Sequence, residues 1–227
     1  MELDENLKKR IISAAILAPI VIGIVWVGGT LFSMLMLIAA VIMAFEWCNI
    51  TCMGNNNPVD PKQKQLWMSV GIAYIVISIL SLMYIRSLVR GEMAVFFLLL
   101  TVWVVDIAAY FSGKLIGGPK ILPAISPKKT WAGLIGGMLA AGCVNSVIGL
   151  FVGSPTLGMF IFGASLAVIS QMGDFFESWV KRRFHVKDSG GLIPGHGGLL
   201  DRVDGLTTTA PLIALMAAMN GGAVSLW

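Results

Sequence analysis

The sequence predicts an all-α, polytopic integral membrane bundle. Three observations carry that prediction. The chain of 227 residues is 57% hydrophobic and only 12% charged, whereas soluble domains carry about 25% charged residues. Its apolar residues fall into long uncharged runs of membrane-spanning length. A soluble fold of this size would need a wettable exterior that this composition does not supply. Finally, the basic residues are segregated between alternate connections. The net charge of +4 is modest, so the distribution matters more than the sum, and nucleic acid is not an expected partner. Three cysteines, Cys48, Cys52 and Cys143, do not make a disulfide framework. Cys48 and Cys52 lack the nearby His or Cys partners of a metal site and read as small apolar fillers.

Lys8, Lys9 and Arg10 precede an apolar run over 11–28. It is long enough to span, so it reads as a retained signal anchor. Further apolar segments follow at 30–46, 66–85, 93–113, 131–152, 157–179 and 205–224. The expectation is about seven transmembrane helices. Six and eight are alternatives, because the second segment is short and Gly28-Gly29 reads as either a turn or a bend. With the N-terminus inside, the cytoplasmic segments hold fourteen Lys and Arg residues, and the opposite side holds only Arg86 and Arg90. That bias predicts N-in, C-out. Trp47, Trp67, Trp131 and Trp179 fall at the expected cytoplasmic helix ends, where an interfacial anchoring role is the ordinary reading. The chain divides into N-terminal spans over 1–92 and a catalytic membrane domain over 93–227, with cytoplasmic loops at 114–130 and 181–204.

Asp106 and Asp174 lie inside expected spans, about 10–12 Å from the first basic residue beyond each. An ionised carboxylate at that depth costs several kcal/mol unless it is paired, hydrated or bound to metal. Glu177, Ser178 and Lys181 follow Asp174 along one helical face. Asp201 and Asp204, three residues apart, are expected to point the same way if the last helix starts near Leu199. With Asp174 they would form an oxygen-ligand cluster suited to a hard cation such as Mg²⁺. In the 114–130 loop, Ser126-Pro127 breaks the chain before Lys128, Lys129 and Thr130. The helix that follows offers free N–H groups and a positive dipole end, a plausible anion cradle. In the 181–204 loop, Gly190, Gly191, Gly195, Gly197 and Gly198 surround His196, and glycines there would let backbone amides approach phosphate. His196 reads as a phosphate contact, and His185 as structural.

These residues resemble a family. Ser178-x-Val180-Lys181-Arg182-x4-Lys187-Asp188-x-Gly190-x2-Ile193-Pro194-x-His196-Gly197-Gly198-Leu199-x-Asp201-Arg202-Val203-Asp204 is similar to the signature of the phosphatidate cytidylyltransferases, or CDP-diacylglycerol synthases. Asp106-x2-Ala109-Tyr110 with Gly113, and Ser126-Pro127-Lys128-Lys129-Thr130-Trp131-x-Gly133, resemble the same family. The first 90 residues resemble it only as apolar spans, with Glu46-Trp47 ending one.

The resemblance implies an all-helical membrane enzyme, a homodimer, at the cytoplasmic face of a bacterial-type inner membrane. It would join CTP and phosphatidic acid into CDP-diacylglycerol and pyrophosphate. The resemblance also implies Mg²⁺, with a monovalent cation such as K⁺ as a second ion, at the positions of Asp174 and Asp201. Asp204 extends that metal set. Catalytic roles are expected for Asp174, Lys181, Arg182, Lys187, Asp188, His196, Asp201 and Arg202. Substrate binding is expected of Asp106, Tyr110, Ser126, Lys128, Lys129, Thr130, Ser178, Gly197 and Gly198. Two alternatives stay open on the residues alone. A CTP-dependent lipid kinase would transfer the γ-phosphate instead. A cation or proton transporter would use Asp106 and Asp174 as relay acids, but leaves the one-sided basic loop unexplained.

Overall fold

The computed structural model describes residues 5–53, 61–190 and 197–222. Among them the chain forms seven helices: α1 (Glu5–Val27), α2 (Gly29–Met53), α3 (Pro61–Ser87), α4 (Gly91–Leu115), α5 (Trp131–Val152), α6 (Thr156–Arg183) and α7 (Leu200–Met219). Helices α2 to α6 are long and apolar enough to cross a membrane, and α1 adds an apolar run over Ala15–Val27 among the residues described in full. Helix α7 carries Asp201, Arg202 and Asp204 in its opening turns. The chain is thus an all-helical bundle of membrane type.

Gly28 and Gly29 form a turn, both at positive φ (68° and 56°). Only glycine takes that conformation cheaply, and a Cβ on Gly28 would also stand 2.2 Å from the Arg86 guanidinium. Arg86 closes this end of the bundle. Its Nε donates to the Val25 carbonyl at 2.8 Å and its Nη2 to the Trp26 carbonyl at 3.1 Å, while Nη1 pairs with Glu92 at 3.4 Å.

Small residues let the later helices pack backbone to backbone, as they do where lipid supplies no hydrophobic drive. A Cβ on Gly163 of α6 would lie 2.5 Å from the Ala141 carbonyl of α5, and one on Gly173 would lie 2.5 Å from the Asp204 carbonyl of α7. Helix α5 packs between α4 and α6, and α7 lies against α3 and α6. One apolar core joins α1, α2, α3, α4, α6 and α7 around Ile85, Val95 and Ala210. A second, around Met43, Trp47, Ile75, Val180 and Leu200, lies under the end where α2, α4 and α6 finish and α3, α5 and α7 begin.

Trp47 departs from the anchoring expectation. It is 1% exposed, and its indole N–H donates to the Trp67 carbonyl at 2.9 Å. Gly71 on α3 makes the room, since a Cβ there would stand 2.0 Å from that nitrogen. Trp131 and Trp179 do remain exposed. The basic connections are also shorter than expected. Lys181–Arg183 form the last turn of α6, and 200–204 belong to α7, whose start falls within a residue of the expected Leu199.

Candidate active site

The loop between α4 and α5 folds back on itself. The Ile121 N–H donates to the Lys129 carbonyl at 3.2 Å, and the Trp131 N–H to the Pro119 carbonyl at 3.1 Å. Pro127 leads out of a turn in which the Ser126 N–H bonds the Leu122 carbonyl at 2.9 Å. Thr130 then starts α5: its Oγ1 accepts the Gly133 N–H at 3.1 Å. The hydroxyl expected to face substrate is therefore the N-cap, and Thr130 is buried. A Ser or Thr oxygen at this position satisfies a helix donor that has no backbone partner. Lys128 stays exposed. Lys129 turns inward to form an ion pair with Asp174 of α6, its Nζ also lying 4.5 Å from the centre of the Phe175 ring.

Around that pair, side chains from four elements meet. Asp106 on α4, Asp174 on α6 and Asp204 on α7 are near enough to repel one another, and Lys129 attracts Asp106 and Asp204 as well. Ser178, one turn beyond Asp174, donates to its Oδ1 at 3.3 Å. Three carboxylates against one ammonium leave an excess of negative charge on oxygen donors. That donor chemistry fits a hard divalent cation. Among the described residues, no three His, Cys, Asp or Glu side chains are gathered closely enough to hold an ion as they stand.

Asp201 belongs to a second group, and this corrects the expectation that it shares a direction with Asp204. Lys181 reaches it from α6, placing Nζ 2.5 Å from Asp201 Oδ1 and 3.0 Å from Glu177 Oε1. Asp201 Oδ2 accepts the Ser189 N–H at 3.0 Å, the Ser189 hydroxyl at 2.9 Å and the Gly198 N–H at 3.1 Å. Burial would raise the Asp201 carboxyl. The Lys181 ammonium, by hydrogen bond and charge, and the Ser189 N–H outweigh burial and hold it at about 2. Asp204, one turn later, instead accepts the N–H of its own neighbour Gly205 at 2.7 Å.

The glycines serve the protein's own carboxylates. A Cβ on Gly197, at φ +79°, would lie 2.9 Å from Asp201 Oδ2. One on Gly198 would lie 2.0 Å from Ser189 Oγ and 2.7 Å from the Glu46 carboxyl. Glu46, which the sequence marks only as the end of a span, belongs to this group. It is 2% exposed and accepts the Leu199 N–H at 2.7 Å and the Leu200 N–H at 2.8 Å. The depth argument that flags Asp106 and Asp174 applies equally to this acid at the end of an apolar run. Glu177, 1% exposed and paired with Lys181, was legible from its spacing.

The remaining expected residues are more peripheral. Arg182 ties the two loops together, its Nε donating to the Ile125 carbonyl at 3.4 Å and its Nη1 to the Val186 carbonyl at 3.2 Å. Lys187, Asp188 and Arg202 are exposed. Arg202 still exerts an attraction on Asp106. Tyr110 is exposed beneath Lys114, whose Nζ lies 5.7 Å from the ring centre. His196 lies outside the described residues. The cysteines are free.

The chain as a whole is similar to known proteins. The model of the cytidylyltransferase family matches residues 56–219, a span that includes all of these elements except Glu46. A phosphatidate cytidylyltransferase of Brucella suis is 35% identical, over 94% of this chain and 94% of its own. One of Rickettsia bellii is 38% identical, over 92% of this chain and 89% of its own. One of Rickettsia felis is 37% identical, over 95% and 94%. On that coverage, and with its acids and lysines gathered at one end of a helical bundle, the chain belongs to the cytidylyltransferase family.

Proposed function

We propose that this chain transfers the cytidylyl group of CTP to phosphatidic acid, giving CDP-diacylglycerol and pyrophosphate. A phosphate oxygen of the lipid attacks the α-phosphorus of CTP. A new P–O–P link forms, the α–β bridging P–O bond breaks, and pyrophosphate leaves. The attacking phosphate is already ionised at pH 7, so no general base is required. Two anions must approach each other, and charge neutralisation is the main catalytic task.

The observation that carries the reading is the meeting of Asp106, Asp174, Asp204 and Lys129 where α4, α5, α6 and α7 converge. Mg²⁺ would be held by Asp174 and Asp204, and by Asp201 once Lys181 releases it. Bound there, the ion would supply Lewis-acid stabilisation of phosphate charge. Lys128 and Lys129 take the β- and γ-phosphates, the exposed Lys128 from solution and Lys129 by exchanging Asp174 for phosphate. Lys181, Arg182, Lys187 and Arg202 divide the remaining charge between nucleotide and lipid. His196 positions a phosphate. K⁺ as a second ion and a homodimeric assembly, supported by the family resemblance, complete the proposal. So does an N-in topology in a bacterial inner membrane, supported by the fourteen-to-two distribution of basic residues, which puts the site at the cytoplasmic face.

The test uses purified protein in detergent–lipid micelles with phosphatidic acid, Mg²⁺ and CTP labelled at the α-phosphate. Label is expected in the lipid, with pyrophosphate released and EDTA abolishing both. D174A and D201A should insert normally and lose turnover; full activity in either would sink its metal assignment. Lipid labelling from γ-labelled CTP alone would establish a kinase instead.

A further inference from the structure

Helix α7 has no cap of its own. Its N-cap position is Leu199, whose side chain offers no acceptor, yet the helix carries two of the acids on which the proposed reaction depends. The acceptor comes from Glu46 on α2, 153 positions away in the chain. Oε1 takes the Leu199 N–H at 2.7 Å, and Oε2 takes the Leu200 N–H at 2.8 Å and the Ser189 hydroxyl at 3.2 Å. A carboxylate is favoured there by both the unpaired donors and the dipole of the helix start. The niche is shaped for it: a Cβ on Gly190 would stand 3.2 Å from Oε1, and one on Gly198 2.7 Å from Oε2.

The same turn is gripped from its other side. Asp201 Oδ2 takes the Gly198 N–H, adjacent to the N–H that Glu46 takes, and shares the Ser189 hydroxyl with Glu46. The Glu46 carboxylate, the Ser189 hydroxyl and the Asp201 carboxylate thus form one chain of contacts. It runs from the apolar end of α2 to the acid that faces Lys181.

We propose that Glu46 is a positioning residue of the cytidylyl-transfer site: it fixes the first turn of α7 and so presents Asp201 and Asp204 to α6. This inference rests on the reaction proposed above. Glu46 itself reaches no reacting atom.

Glu46→Gln keeps the size and one acceptor oxygen, but sets an amide donor against groups that are themselves donors. Turnover per folded molecule is expected to fall about tenfold or more, because a buried hydrogen bond to a charged group is lost. Glu46→Asp, which keeps the charge, should recover part of the loss. Hydrogen exchange at the Leu199 and Leu200 amides should accelerate in E46Q. A purely structural cap would lower the yield of folded protein and leave turnover per folded molecule at the wild-type value; that result overturns the proposal. Should E46Q fail to fold, Ser189→Ala decides, since it cuts the link and keeps both carboxylates. Slower turnover supports the proposal, and wild-type turnover overturns it. An inactive wild-type chain would count against the proposed reaction instead. Amide exchange at Leu199 and Leu200 would then still decide whether Glu46 holds the turn.

Discussion

Lys181 is the single cation between two carboxylates that water barely reaches. Its side chain is 12% exposed; those of Glu177 and Asp201 are 1% and 10% exposed. Lys181→Met keeps an apolar stem of similar length and removes the charge. Asp201 would retain its three donors from Ser189 and Gly198. Glu177 would not be so provided for, because its Oε2 already lacks a partner and its Oε1 would lose Lys181. Removing one member of a buried pair costs about 3–5 kcal/mol. At about 1.4 kcal/mol per factor of ten, that is roughly a hundred- to several-thousand-fold in the folding equilibrium. Glu92→Gln is the control. The Glu92–Arg86 pair is 3.4 Å long with side chains 30% and 18% exposed, and such partly solvated pairs contribute about 0–1 kcal/mol. Unfolding by SDS in mixed micelles, followed by tryptophan fluorescence, measures both. E177Q/K181M should recover much of the loss, since the double change removes the stranded charge as well as its partner. The reasoning fails if K181M costs no more than E92Q, or if E177Q adds to the loss.

Two further substitutions separate the scaffold of the site from its chemistry. Thr130→Ala removes the cap on α5 and should cost about 1 kcal/mol of stability. The hydroxyl already serves Gly133, so KM for CTP should not change, and a large rise would restore Thr130 as a substrate contact. Gly198→Ala places a methyl 2.0 Å from Ser189 Oγ and should suppress turnover, whereas Gly23→Ala on α1, with nothing within 4 Å, should leave turnover intact. Equal effects would dissociate the glycine from the site.

The fold was largely legible because its signals are local. Apolar runs bounded by Gly28-Gly29 and Ser126-Pro127 define helices within a few residues, and the i+3, i+4 and i+7 spacing of Glu177, Ser178 and Lys181 from Asp174 places them on one face. Thr130 was legible as a helix start but not as a buried cap, since a hydroxyl at that position reads the same whether it faces a phosphate or its own backbone. The start of α7 near Leu199 is legible in the sequence, but what holds it there is not. Its cap lies on α2, and no window of sequence contains both Glu46 and Leu199. Trp47 failed for the same reason, because the glycine that opens its niche is on another helix.

A contiguous signature invites the assumption that each of its residues meets substrate. The stretch from Ser178 to Asp204 divides on physical grounds. Val180 and Leu200 are fully buried and pack against Met43 and Ile50. Ser189, Gly190, Gly197 and Gly198 admit and bind the carboxylates of Glu46 and Asp201. Arg182 holds the neighbouring loop by two carbonyls. Among the described residues of the stretch, those left to meet a ligand in the proposed reaction are Lys181, Asp201 and Asp204, with the exposed Arg182, Lys187 and Arg202. In the resting site Lys129 pairs with Asp174 and Lys181 with Asp201. Buried charges demand such pairing in the absence of ligand. A cation bound with a polyphosphate carries the opposite charge to each half of those pairs, so both can be exchanged without stranding a charge. A substrate that brought phosphate without a cation would have to leave Asp174 unpaired. The metal dependence proposed for this site would therefore draw on the pairing of Lys129 with Asp174 as well as on the chemistry of the leaving group.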